Sequence, residues 1–163
     1  MINKIIIGID GGLNGAITVL QGGNIIECIV MPTISVGNGK NEYDMHEICK
    51  MFRKYLTATV ILEKAHAMPK LGTVQAFNFG KGFGAMLGIL TALQMKYHIV
   101  HAKTWQAIMF RDQPHGDTKA SSVIIAQRLF PGYDFRATIK CKKIHDGKTD
   151  ATLLCAYAQQ LNL

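Results

Sequence analysis

Asp10, Glu63, Asp146 and Asp150 are the residues of this chain whose type and placement could do chemistry. Each stands at the edge of an apolar run, in the segments Ile5-Ile6-Ile7-Gly8-Ile9-Asp10, Val60-Ile61-Leu62-Glu63 and His145-Asp146-Gly147-Lys148-Thr149-Asp150-Ala151-Thr152-Leu153-Leu154. An acid at the end of a buried segment carries a desolvation cost that a bound cation offsets. Carboxylate oxygens with water are the ligands that magnesium and manganese prefer. Two such ions ~4 Å apart can activate a water and stabilise the leaving oxygen of a phosphodiester. Taken singly, the acids have plainer readings. Asp10 before Gly11-Gly12 fits a turn, Glu63 could pair with Lys64 or Lys70, and Asp146 fits a helix N-cap as well as a metal ligand. Their joint placement carries the metal reading.

The elements that must position these acids follow from hydrophobic period and turn chemistry. Residues 4–10 read as a central strand ending in Asp10, then a glycine-rich turn over 11–15. Strands over 16–20 and 25–31, joined by a turn at 21–24, complete an antiparallel meander. Residues 32–41 read as a polar, mobile loop. Helical spacing runs over 43–55, followed by a buried strand over 58–63. The helix between them implies a crossover, so this strand can lie parallel to the first. A loop over 66–75 precedes a helix over 77–93 that contains Gly80, Gly82, Gly84 and Gly88. Glycine weakens a helix, so four of them imply close backbone approach to another surface. A strand over 97–100, helices over 103–110 and 118–130, a basic irregular stretch over 131–144 and a terminal helix from 146 or 147 to 161 complete the pattern.

The expected architecture is α/β: a mixed five-stranded sheet, made of the three-strand meander plus parallel strands, with helices on both faces. Residues 1–163 form one domain in this reading. Asp10 and Glu63 then end neighbouring parallel strands, at the edge where α/β sheets place their sites. Asp146 and Asp150 are four apart and share one face of the terminal helix.

Composition narrows the partner. The chain has 18 basic against 11 acidic residues, a formal net charge of +7 and a pI of about 9.3. That excess favours nucleic acid or an anionic membrane surface. No apolar run approaches the ~20 residues that span a bilayer, and no signal-peptide pattern opens the chain. Cys28, Cys49, Cys141 and Cys155 form no Cys-x-x-Cys pair and are expected as free thiols in a reducing cytoplasm. The densest basic stretch, Arg136, Lys140, Lys142, Lys143 and Lys148, leads into the acidic helix start. A phosphate entering the site would pass it, and such contacts position a backbone without reading sequence. A solvated face is the alternative. Trp105 is expected in the core, and Phe77 and Phe79 in the core or an interface between copies.

With these residues in place, the chain resembles the RuvC-type Holliday junction resolvases, especially the phage-encoded branch. The resemblance runs through Gly8-Ile9-Asp10-Gly11-Gly12-Leu13-Asn14-Gly15-Ala16, Glu63-Lys64-Ala65-His66-Ala67-Met68-Pro69, Phe77-Asn78-Phe79-Gly80 with Gly84 and Gly88, Thr104-Trp105, and Lys142-Lys143 through Asp150-Ala151. It implies an RNase H-like fold and a homodimer. It also implies an endonuclease that nicks opposing strands of branched DNA symmetrically, in the host cytoplasm if the chain is phage-encoded. It implies two magnesium ions per site, with manganese expected to substitute, and no small-molecule cofactor. Asp10, Glu63 and Asp150 match the family's acids. Many relatives carry an acid or histidine where this chain has Gly147, so Asp146 is the expected third ligand and His145 the runner-up. Lys119 matches a lysine that assists at the phosphate, and Lys103 is a candidate for a second lysine position otherwise filled by Gln106. The loop bearing His66, Met68 and Lys70 corresponds to one that approaches the junction centre.

Three rivals stand beside this reading. The Gly-Ile-Asp-Gly-Gly turn also resembles that of actin-like ATPases and sugar kinases, which need a second comparable domain. A nuclease of the same fold could debranch DNA more broadly. A non-catalytic DNA-binding module would have no need of all four acids.

Overall fold

The computed structural model describes residues 4–65, 72–113 and 116–163. Among the described residues, a mixed sheet runs in the order β3-β2-β1-β6-β7. Its strands are β1 (Ile5–Asp10), β2 (Ala16–Gln21), β3 (Asn24–Val30), β6 (Thr59–Glu63) and β7 (Lys96–Val100). The meander is antiparallel, and β6 lies parallel to both β1 and β7. The mixed five-stranded sheet expected from the sequence is therefore present.

Strand alternation divides the core in two. Ile7, Ile9, Val60 and Leu62 face α1 (Met45–Arg53) and α2 (Thr73–Ala92), whose Ile48, Phe52, Met86 and Leu90 are buried against them. Ile6 and Ile61 face the other way, into a cluster with Trp105 of α3 (Ala102–Met109), Ile125 of α4 (Thr118–Leu129) and Leu153 and Leu154 of α5 (Asp146–Gln160). Asp10 and Glu63 follow Ile6 and Ile61 at even spacing, so both belong to the face that α5 covers. That helix crosses β1 at Gly8, where a Cβ would lie 2.0 Å from the Ala151 carbonyl oxygen and 2.8 Å from Cys155 Sγ. Glycine in the middle of an Ile-rich strand is what lets α5 sit directly on the sheet. The helix thereby brings Asp146 and Asp150 towards the end of β1.

Two stretches depart from expectation. The polar loop over 32–41 contains a small hairpin, with β4 (Thr33–Ser35) paired to β5 (Asn41–Tyr43) outside the main sheet. Its turn places Gly37, Asn38 and Gly39 at φ 88°, 50° and 68°, a left-handed run that glycine and asparagine tolerate. The strands are only three residues long and exposed but for Tyr43, so they carry no apolar alternation to read. The glycine-bearing helix begins at Thr73 rather than Phe77. Of its glycines, Gly82 meets a neighbour, the ring of Tyr43, which its missing Cβ makes room for; Gly80, Gly84 and Gly88 have no atom of this chain within reach of a Cβ.

Candidate active site

The site is built on the tips of two adjacent strands. Ile9 pairs with Leu62 across the parallel β1–β6 ladder, so Asp10 and Glu63 leave the sheet side by side. The turn after Asp10 is closed by a hydrogen bond from Gly15 N–H to the Gly12 carbonyl, at 2.8 Å. A Cβ on Gly15 would lie 2.1 Å from the Asp10 carbonyl oxygen, so the tight return of the chain requires glycine there. The Tyr43 hydroxyl donates to the Gly11 carbonyl at 2.7 Å, tying the turn to the hairpin.

The second half comes from α5. His145 is its N-cap, and its Nδ1 accepts from the Lys148 N–H at 3.3 Å. Asp146 is therefore the first helical residue, one position past the cap. Gly147 packs against the turn of the first strand: a Cβ there would lie 2.8 Å from Gly15 Cα and 2.9 Å from the Asn14 carbonyl oxygen. An acid has no space at that position. Asp150 follows one turn later and accepts a short hydrogen bond from the hydroxyl of Ser122 in α4.

The two halves meet electrostatically. Burial raises Asp10 to about 7, helped by the negative charges of Asp150, Glu63 and Asp146 and opposed by a hydrogen bond from the Gly12 backbone. Burial likewise raises Asp150 to about 6; the Ser122 hydrogen bond opposes it, Glu63 and Asp146 add to it, and Lys119 opposes it. Asp10, Asp146, Asp150 and Lys119 line one cleft of about 680 Å³ with Asn14, Tyr43, Asn78 and Phe79. Lys119 is exposed and places its Nζ 2.9 Å from Asp146 Oδ2, and this bond raises its pKa. Glu63 is not on the wall of that cleft, although its charge reaches both Asp10 and Asp150. Its Oε2 accepts the indole N–H of Trp105 at 2.7 Å.

An all-carboxylate donor set fits a hard divalent cation, since a cation offsets both the burial and the repulsion that raise Asp10 and Asp150. No three His, Cys, Asp or Glu side chains among the described residues are gathered into a ready-made ligand set. The donor chemistry fits: Asp10, Asp146 and Asp150 line the cleft, and Glu63 stands on the adjacent strand tip.

The basic stretch separates into two groups. Lys148 is 6% exposed, with Nζ donating to the carbonyls of Arg136 at 2.9 Å and Asp134 at 3.3 Å and lying 5.7 Å from the centre of the Tyr133 ring. Arg136 grips Asp134 through Nε and Nη2 and donates from Nη1 to the Ile139 and Cys141 carbonyls. Lys148 ties the 134–136 backbone to the start of α5, and Arg136 braces its own loop. The lysine precedes Thr149 on a helical turn that is buried on nearly all sides, and charge counting alone does not reveal that. Lys140, Lys142, Lys143 and Lys103 are exposed. His66, Met68 and Lys70 lie outside the described residues. The cysteines are free, as expected.

Sequence reasoning missed Ser122 and Tyr43. Ser122 is 1% exposed and sits three and four residues before the buried Ile125 and Ala126, so a hydroxyl at a core-facing period was the available signal. Tyr43 gave none, because its role depends on the hairpin.

No protein-family model matches the chain, and no curated protein matches it in sequence. Solved structures do. Thermus thermophilus RuvC in complex with a Holliday junction substrate superposes with a TM-score of 0.60 at 10% identity, covering 96% of each chain. A second Thermus thermophilus RuvC structure gives 0.58 at 11% identity, covering 97% of this chain and 96% of that one. The chain has the RNase H-like fold of RuvC. No helix among the described residues is long and apolar enough to cross a membrane.

Proposed function

We propose that the protein is a structure-selective endonuclease that resolves four-way DNA junctions by paired nicks, of the kind carried by phage. The observation that carries this reading is the gathering of Asp10, Asp146 and Asp150 on one cleft at the tip of β1, with Glu63 on the neighbouring strand tip; burial first, and like charge after it, raises Asp10 to about 7 and Asp150 to about 6. Such a site is incomplete without positive charge. Asp10, Glu63, Asp146 and Asp150 would hold two magnesium ions. When bound, these ions acidify the attacking water and neutralise charge developing on the phosphodiester. Lys119 can reach the phosphate because its exposed ammonium is held by Asp146 in a surface pair of small energy. Lys103, Lys140, Lys142 and Lys143 would grip the backbone of branched DNA without reading sequence.

The outer face of α2 supports a homodimer. Val74 and Phe77 are 73% and 70% exposed, and Gly80, Gly84 and Gly88 repeat every fourth residue beside them with open space over each. An apolar, glycine-lined helix face lets a second backbone approach closely. Two-fold pairing would present two sites to a substrate of matching symmetry.

The test is cleavage of a four-way junction in magnesium by wild type and by Asp10→Asn. The variant should bind the junction and fail to cut it. Cutting by Asp10→Asn at the wild-type rate would remove the assignment.

A further inference from the structure

We infer that Trp105 is a positioning residue that fixes Glu63 through its indole N–H. The backbone explains how the two meet. Glu63 pairs with Val100 across the parallel β6–β7 ladder, and Lys64 N–H donates to the Val100 carbonyl at 2.7 Å, so the ladder holds right to the strand tip. The chain turns into α3 two residues after Val100, and the first turn of that helix returns Trp105 over the end of β6.

The ring has no freedom there. It is 0% exposed, packs within the cluster of Ile61, Val100 and Leu154, and meets Phe110 edge-on with centroids 5.4 Å apart. A buried indole N–H needs an acceptor. A backbone carbonyl would satisfy it as well as an acid would, yet the acceptor is one of only 11 acidic residues in the chain. The 2.7 Å separation is in the range of a bond to a charged partner, shorter than is usual for a neutral N–H···O pair. The bond sets the rotation of the carboxylate and draws charge onto Oε2. Ser122 does the same for Asp150 from α4. A strand-tip acid and a helix acid are thus each held by a buried neutral donor. A support of this kind acts on a site through its ligand's orientation, and losing one typically costs roughly 10- to 100-fold in activity or metal affinity.

Trp105 is the single tryptophan of the chain, so the protein has one indole N–H resonance. The inference rests on the nuclease reading only for its kinetic arm; the resonance reports on the contact by itself. In the full-length protein, Glu63→Gln should move that resonance upfield, and magnesium added to wild type should shift it saturably. Replacing Trp105 by its benzothienyl isostere, which keeps the ring and lacks the N–H, should lower kcat on a four-way junction by roughly 10-fold or more with KM unchanged. Trp105→Phe should behave alike and serves as the second variant. An indole resonance indifferent to Glu63→Gln would overturn the contact. Wild-type kcat in the isostere would overturn the positioning role. Inactive wild type would overturn the nuclease reading alone, and the response of the resonance to Glu63→Gln and magnesium would then decide the inference.

Discussion

Two regions concentrate charge in this molecule, the carboxylate cleft and the basic loop that leads into it. In the cleft, Asp10 and Asp150 are raised together, because burial and like charge act on both, and the exposed Lys119 opposes this only in part at Asp150. In the loop, Arg136 and Lys148 are satisfied by Asp134, by backbone carbonyls and by the Tyr133 ring. In one region like charges gather at a cleft, and in the other the charges are matched inside the fold. The difference teaches that a run of like charge in sequence is a functional signal only where the fold leaves it uncompensated. Neighbouring residues differ in the same way: Lys148 holds the helix start in place, whereas Lys142 and Lys143 are exposed.

The largest effect expected from breaking this contrast is catalytic. Glu63→Gln should lower magnesium-dependent junction cleavage by about 10³-fold, with binding measured by gel shift largely intact. Next come paired lysine substitutions. Lys148→Met removes the donor to the carbonyls of Asp134 and Arg136 and should cost about 2 kcal/mol, seen as a melting temperature lower by roughly 5 °C. Lys142→Met should leave melting unchanged and instead weaken DNA binding, reducing the slope of log affinity against log salt by about 1. Equal effects of the two on melting would erase the distinction.

The cleft carries its own pH signature. The folded state keeps protons on Asp10 and Asp150 that the unfolded state sheds near the ordinary carboxylate value of 3.8. Between about 4 and about 7 the native protein therefore binds more protons than the unfolded one, so its stability is greatest below that window and falls as pH rises through it. In chelator, Asp10→Asn should raise the melting temperature at pH 7 and change it little at pH 4. Magnesium should restore wild-type stability at pH 7 without any effect at pH 4. The smallest effect concerns α2. Alanine at Gly84 should stabilise a solvent-facing helix by about 1 kcal/mol. If a second backbone packs there, as proposed, Gly84→Ala should instead weaken the dimer in sedimentation.

Much of this was legible because strand tips and helix starts obey local rules. The Ile-rich run ending in Asp10, the buried run ending in Glu63 and the i, i+4 pair on α5 each carried their position in their own period. The parallel pairing of β1 and β6 followed from the helix between the strands. What could not be read depended on contacts distant in sequence. The 32–41 hairpin has no apolar alternation. Ser122 reaches Asp150 from 28 residues away, and the burial of Lys148 follows from how the 134–145 loop folds back on α5. Trp105 was legible as core, and its bond to a residue 42 positions earlier was not.

The most direct measurement is magnesium-dependent cleavage by the wild-type protein of a four-way junction, a three-way fork and a linear duplex of the same sequence. The account expects paired, symmetric nicks in the four-way junction and little cutting of the duplex. Equal cutting of fork and junction would replace resolution with general debranching. No cutting of any of the three, in magnesium or in manganese, would contradict the central claim.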